Sequence, residues 1–318
     1  MTLSAIQIDR ARGAVLGSAV GDALGAPYEF GCREVGPGGP EMLGGGLGDF
    51  APGEWTDDTT MAWCVLDVAA SGFDLKSEDA LARIARRFRA WFETGPADIG
   101  NQTRTILAEA GAEPSGAALT AVALDLHRRT GRTAGNGSLM RTAPVALQFL
   151  DHPDGLADAA RRISALTHHD RQAQDACVLW SLAIRHAIVF GELDLRGGLA
   201  QLDAAASGQW AELIDDAERR PPGEFAPNGW VVTALQAAWS SIVHTPVPSE
   251  RPERHLGDAL ETAIRIGDDT DTVAAIAGAV LGARWGAASV PQHWRTPLHG
   301  YPGIDADELL ALVDRVLS

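Results

Sequence analysis

Along most of the chain apolar side chains recur at three- and four-residue steps, the period of a helix with one buried face. Residues 77–93 show the pattern. Leu81, Ile84, Ala85, Phe88, Trp91 and Phe92 form the apolar stripe, Ser77 stands where an N-cap belongs, and Glu78 and Asp79 suit the positive end of the helix dipole. Gly95-Pro96 then stops it. The same spacing predicts helices over 9–24, 59–70, 115–129, 155–166, 173–190, 230–244, 256–266, 272–285 and 305–317. Strand-like alternation is essentially absent. The expected fold is all-α, a compact helical bundle with residues 1–318 as a single domain.

Two of these helices carry rows of small residues: Gly13, Gly17, Gly21 and Gly25 on one, Ala274, Ala275, Gly278 and Gly282 on the other. Glycine costs a helix up to about 1 kcal/mol relative to alanine, yet small side chains let two axes approach closely. Both helices are expected at the centre of the bundle, although ordinary core packing accounts for each glycine equally well. Residues 31–53 are too rich in Gly and Pro for a helix and too long for a simple connector, so they read as a mobile functional loop or a disordered insert. Residues 219–227 and 245–252 read as surface connections.

Composition narrows the function more than the fold. Of 318 residues 46% are hydrophobic and 21% charged, which excludes wholesale disorder. Lys and Arg number 26 against 42 Asp and Glu, a net charge of −16, which argues against a nucleic-acid surface and fits either a solubilising exterior or a site rich in oxygen ligands. Cys32, Cys64 and Cys177 are widely spaced with no CxxC, so neither a disulfide framework nor a thiolate zinc site is expected. The first twelve residues carry Asp9, Arg10 and Arg12 and no long apolar run, and no stretch reaches the roughly 18–20 apolar residues of a membrane span. A cytoplasmic, soluble monomer is expected.

Candidate chemistry sits at helix starts. Trp55-Thr56-Asp57-Asp58-Thr59-Thr60 precedes one apolar run, and N-terminal capping alone would account for it. Gly267-Asp268-Asp269-Thr270-Asp271-Thr272 precedes another, Val273 to Trp285, and the repetition shifts the balance. Residues two apart do not share a helical face, so Asp269 and Asp271 converge only if the turn into the helix is irregular, with the Thr272 hydroxyl joining them. An EF-hand is excluded because its third oxygen ligand, central Gly and terminal Glu are missing. Two carboxylates ~4 Å apart repel by about 1 kcal/mol in water and about 4 kcal/mol at an effective dielectric of 20. Hard divalent ions remove that repulsion, and all-oxygen ligation points to Mg²⁺, Mn²⁺ or Ca²⁺ rather than zinc.

Four further segments carry polar groups. Glu29, in Gly21-Asp22-Ala23-Leu24-Gly25-Ala26-Pro27-Tyr28-Glu29, lies at a helix–loop boundary and is either a surface acid or a movable base or gating ligand. Gly135-Asn136-Gly137-Ser138-Leu139-Met140-Arg141 is a turn whose N–H groups could meet a diphosphate, or simply a capped turn; it is neither a P-loop nor GxGxxG. Asp98-Ile99-Gly100-Asn101-Gln102-Thr103-Arg104 and Thr167-His168-His169-Asp170 are polar islands. No GxSxG elbow is present.

In order and spacing, GDALGAPYE, WTDDTTMA, DIGNQTR, GNGSLMRTAP, THHD and GDDTDTVAAIAGAVLGARWG resemble the ADP-ribosylglycohydrolase family, over about residues 9–286. The resemblance implies an all-helical domain with two Mg²⁺ or Mn²⁺ ions in a cleft. It places Thr56, Asp57, Asp58, Asp269, Asp271 and Thr272 at the metals and Glu29 and Asp98 in catalysis. Asn101, Asn136, Gly137, Ser138, Arg141 and His168 fall along the ADP-ribose cleft, with Arg141 expected on the diphosphate and the loop over residues 36–48 against the leaving group. The family often reads GGDTD, and here Asp268 replaces the second Gly. Residues 131–134 have no aromatic side chain to stack on adenine. The implied reaction is metal-dependent hydrolysis of an ADP-ribosyl bond at the anomeric carbon of the distal ribose, arginine-linked by preference from the DIGN segment. The partner is then an ADP-ribosylated protein or a small ADP-ribose conjugate. The competing readings are a catalytically silent sensor of ADP-ribose or a nucleotide, and a metallohydrolase of phosphoesters.

Overall fold

The computed structural model describes residues 2–318. Fourteen α-helices are found among them: α1 (Ala5–Gly25), α2 (Asp57–Ala70), α3 (Glu78–Glu93), α4 (Asn101–Glu109), α5 (Gly116–Thr130), α6 (Ala143–Gln148), α7 (Pro153–Ala165), α8 (Arg171–Phe190), α9 (Ala204–Arg219), α10 (Val231–His244), α11 (His255–Ile264), α12 (Thr270–Trp285), α13 (Gln292–Arg295) and α14 (Ala306–Leu317). All ten expected helices are present, with ends shifted by a few residues. The first begins at Ala5 because Ser4 and Gln7 form a reciprocal capping box.

Four helices escaped the periodicity. In α9 Ala206, Trp210, Leu213, Ile214 and Ala217 mark the inner face, and the exposed Gly208 weakens the helical signal between them. The shorter α4, α6 and α13 offer too few turns for a period to register. One departure from the all-helical expectation is a two-residue antiparallel pair, β1 (His299–Gly300) with β2 (Ile304–Asp305). It pins the approach to α2: Trp55 N–H donates to His299 O and His299 N–H to Gly53 O. No helix among the described residues is long and apolar enough to cross a membrane.

At the centre α1 and α12 lie backbone against backbone. A Cβ built on Gly17 would stand 2.3 Å from Gly278 O, one on Gly21 2.1 Å from Ala274 O, and one on Gly282 1.9 Å from Gly13 O. The two small-residue rows therefore face each other, and any side chain larger than hydrogen at these positions would strike a main-chain carbonyl. Around this pair α2, α8, α10, α11 and α14 pack through Leu16, Leu24, Val65, Leu179, Trp180, Leu235, Leu260 and Leu309, all buried. The Trp180 indole N–H reaches Ile276 O at 2.9 Å, so even this large ring is satisfied inside the core.

The Gly-rich segment 31–53 is a folded loop rather than an insert without structure. Gly45 and Phe50 exchange both backbone hydrogen bonds, and Glu41 N–H donates to the Tyr28 hydroxyl at 2.8 Å. Gly44 and Gly53 have left-handed backbones and press on Phe50 O and Pro297 O.

Gly282→Ala should destabilise the protein by about 1–3 kcal/mol or more, because the added methyl meets backbone that cannot move aside. Gly208→Ala, in open space on α9, should instead stabilise it by about 0.5–1 kcal/mol. Urea unfolding of the two variants beside the parent checks both signs.

Candidate active site

The row of glycines on α1 ends at Gly25, whose missing Cβ leaves room for Asp271 Cα at 2.5 Å from where it would sit. This contact draws the start of α12 against the end of α1. Asp22, one turn earlier and fully buried, receives the start of α2: its carboxylate accepts from Thr56 N–H (3.0 Å), Thr59 N–H (3.0 Å) and Thr59 Oγ1 (2.6 Å). One helix thus carries both acidic helix starts, although they stand far apart in the chain.

They meet. Thr56 Oγ1 lies 3.3 Å from Asp58 Oδ2 and 3.4 Å from Asp271 Oδ2, and Thr272 Oγ1 lies 3.4 Å from the same Asp58 oxygen. Glu29, Asp269 and Asp271 each bring a carboxylate oxygen within 4.8 Å of the others. Glu29 follows α1 after a break in helical backbone, and the next residue, Phe30, is left-handed. Phe30 N–H donates to Asp268 O at 2.7 Å, fastening the Glu29 arm to the turn that carries Asp269.

Asp268 adopts φ 57°, a conformation that glycine takes freely and Asp tolerates. Its carbonyl accepts from both Phe30 and Thr270. The family's glycine at this position therefore has a backbone reason, and Asp268 serves the site through its main chain.

The charge balance is severe. Burial, then the charges of Asp98, Asp269, Asp57 and Asp22, push the Glu29 carboxyl up to about 9. Burial, then Asp98 and Asp22, push Asp57 to about 8. Asp58 and Asp271 are raised well above the ordinary range, chiefly by burial and then by neighbouring carboxylates. Asp22 rises to about 6, burial outweighing the hydrogen bonds from Thr59 and Thr56 that hold it down. Among the described residues no basic side chain forms a salt bridge with these acids; the buried Arg141 acts on Asp57, and Arg104 at the cleft on Asp98, only through their charge. Glu29 Oε2, Asp58 Oδ1 and Asp271 Oδ1 are buried without a hydrogen-bond partner. Buried oxygens of this kind are rare unless an ion or water takes them up, and the donor set, all hard oxygen, fits a divalent cation.

The cluster forms the floor of a cleft of about 500 Å³, within the range of small-molecule sites. Glu29, Asp57, Asp98, Asn101, Asn136, Gly137, His168, Asp269, Asp271 and Thr272 all line it. Asp98 is half-buried, and burial, then Asp269, raises its carboxyl. Asn136 is buried and holds Asp269 Oδ2 at 2.7 Å. Leu47 reaches the rim, so the Gly-rich loop borders the cleft.

Two expected cleft residues stand elsewhere. Arg141 is fully buried beneath the turn of residues 135–138, with its guanidinium donating to Gly137 O (3.2 Å), Ile163 O (3.1 Å) and Thr167 Oγ1 (2.7 Å) and stacking over Phe88. Its two terminal nitrogens are committed inside the protein, Nε is buried without a partner, and the side chain does not line the cleft. Ser138 is likewise buried, its hydroxyl taken by Ser164 at 2.9 Å.

Asn228 had no sequence signal, being a lone polar residue in a Pro-Asn-Gly connection. It is fully buried and bridges both walls: Oδ1 accepts from Asp269 N–H (2.9 Å), Nδ2 donates to Gly267 O (3.1 Å), and its carbonyl accepts from Asn136 Nδ2 (3.1 Å). Asp22 was visible only as part of a motif, with no role attached. Gln102 and Thr103 join the lining from α4.

The structure is a helical protein with a cleft lined by buried acids whose oxygens could hold a cation. Residues 3–318 match the family described as ADP-ribosylglycohydrolase, and the chain belongs to it. It is 32% identical over 307 residues to the ADP-ribosylarginine hydrolase of Pseudomonas putida (strain GB-1), covering 90% of this chain and 73% of that protein. Identity to the ADP-ribosyl-(dinitrogen reductase) glycohydrolase of Rhodospirillum rubrum is 29% over 305 residues, 91% of this chain and 90% of that one. A solved structure titled ADP-ribosylglycohydrolase-related protein complex superimposes with a TM-score of 0.72 at 29% identity, covering 98% of each chain.

Because these carboxyls titrate above their unfolded values of about 4, the cation-free fold binds more protons than the unfolded chain from there up to about pH 9, the value reached by Glu29. Stability of the chelated protein should therefore fall as pH rises across this window. Saturating Mg²⁺ or Mn²⁺ should flatten that slope and release protons on binding. Melting curves in EDTA and in metal, at about pH 5 and about pH 9, check the sign; a chelated protein equally stable at both contradicts it. Asp268→Gly should raise stability by up to about 1 kcal/mol by relieving the left-handed backbone, read from the urea midpoint.

Proposed function

We propose that the chain hydrolyses an ADP-ribosyl bond at the anomeric carbon of the distal ribose, releasing ADP-ribose from a modified protein. Arginine-linked ADP-ribose is the favoured substrate. The observation that carries the reading is the meeting of Thr56, Asp57 and Asp58 with Glu29, Asp269, Asp271 and Thr272, with three buried carboxylate oxygens left unpaired. A pure binding module has no use for so costly a cluster. Membership in the family and the activities for which the Pseudomonas and Rhodospirillum relatives are named point the same way.

Two Mg²⁺ or Mn²⁺ ions would be held by those six helix-start residues with Glu29 beside them, and when bound would supply Lewis acidity toward sugar hydroxyls and water. The protein's own part is proton handling and placement. Glu29 and Asp98 line one cleft, both with raised carboxyls. One takes the proton of the attacking water as its oxygen bonds to the anomeric carbon, and the other gives a proton to the departing nitrogen. Asn136 fixes Asp269, and Asn101 stands at the cleft-facing start of α4, placed to contact the ribose. The cleft of a single domain, residues 1–318, would suffice for this chemistry.

The test is turnover of arginine-linked and serine-linked ADP-ribosyl peptides in Mg²⁺ or Mn²⁺ and after chelation. Arginine-linked substrate should be released in metal and not in EDTA. Asp57→Asn and Asp269→Asn should each lower turnover about 100-fold or more, since even the residues that merely support a metal's ligands are commonly worth 10–100-fold. Persistent activity after thorough chelation, or tight ADP-ribose binding without turnover of any linkage, would overturn the reading.

A further inference from the structure

The side chain of Arg141, withdrawn from the cleft, acts on it through two neighbours. Its Nη2 has two hydrogens, one directed to Ile163 O and one to Thr167 Oγ1 at 2.7 Å. A guanidinium has no lone pair to offer, so Thr167 Oγ1 is the acceptor in that contact. The threonine's single proton is left for another acceptor, and the partner within reach is His168 Nδ1 at 2.8 Å. Directed there, that proton would make His168 Nδ1 an acceptor without a hydrogen of its own.

The imidazole itself is buried, 2% exposed, and it lines the cleft directly under the Gly135–Gly137 turn. A Cβ on either glycine would stand 3.4 Å from His168 Nε2, so the absence of side chains there keeps that nitrogen accessible. Burial and the Arg141 charge both hold the ring in its neutral form. Gln102 spends its Nε2 on Thr133 O and Thr167 O, which turns its Oε1 toward the same wall as an acceptor.

We propose that Arg141 and Thr167 are positioning residues that lock His168 in its Nε2–H tautomer, so that the cleft presents a neutral, oriented N–H donor to an oxygen of ADP-ribose. The inference rests on the proposed ligand for the choice of probe, while the tautomer itself is readable without it. Such a donor favours an acceptor oxygen and opposes an amine or ammonium at this point of the cleft. A cation would offer a different selection, since an ionised histidine would attract anions of any geometry.

The experiment is a long-range ¹H–¹⁵N spectrum of the full chain labelled on histidine nitrogens, with the His168 signals assigned by their loss in His168→Gln. The parent should show the Nε2–H form, and Thr167→Val should convert it to a tautomer mixture while Thr167→Ser restores it. ADP-ribose affinity by calorimetry in Mg²⁺ should fall about tenfold in Thr167→Val, the effect of one displaced donor. It should stay within about twofold in Thr167→Ser, and His168→Gln, whose amide can stand in for Nε2–H, should bind better than His168→Asn. A parent spectrum with hydrogen on Nδ1 overturns the proposal even if the valine variant does not fold. An unchanged tautomer in a folded valine variant overturns it equally. Loss of all ADP-ribose binding with the expected spectrum would instead count against the proposed function and leave the tautomer lock standing.

Discussion

Everything at the centre of this protein depends on two helices touching through their main chains. The contact of α1 with α12 requires hydrogen in place of a side chain at Gly13, Gly17, Gly21, Gly278 and Gly282. In exchange for weaker intrinsic helicity the pair gains a separation that no leucine interface could reach. That short separation sets Gly25 against Asp271, and so decides how far Glu29 stands from Asp269. The geometry of the acidic cluster is thus a consequence of packing that extends one to about three turns along α1 from it.

The second principle is electrostatic debt. Glu29, Asp57, Asp58 and Asp271 are buried together with no salt bridge to any of them among the described residues, and their carboxyls are raised toward the protonated form. A fold that keeps such a cluster when neutral residues would pack more cheaply retains it for what binds there. Around it the supporting groups are uncharged or main-chain: Thr56, Thr272, Asn136, Asn228 and the Asp268 carbonyl. They orient the acids without neutralising them.

Much of this was legible in the sequence, and the reasons divide cleanly. Long amphipathic helices such as Glu78–Glu93 announce themselves because burial of one face writes a period into the chain. The two acidic helix starts were visible because oxygen-rich caps are local; that they meet rests on contacts between distant segments, such as Thr56 with Asp271, that exist only in the folded chain. Asn228 was hidden, since its partners lie more than thirty residues away and one polar residue has no period. The burial of Arg141 was hidden for a related reason. Charge and motif position suggested the ligand, whereas the guanidinium satisfies carbonyls of Gly137 and Ile163 that only the folded chain brings together. The Gly-rich loop was ambiguous because glycine marks both disorder and tight approach, and contacts such as Gly44 on Phe50 O exist only after folding.

The interlocked glycine rows also constrain how this protein can change over evolutionary time. Each carbonyl of one helix sits in the notch left by a missing side chain of the other, so a slide along the axis meets steric resistance until a whole turn, about 5.4 Å, has been crossed. Drift on outward faces such as that of α9 cannot detune the acidic cluster by small increments. Substrate preference is free to diversify in the rim loops while the reacting centre stays in register.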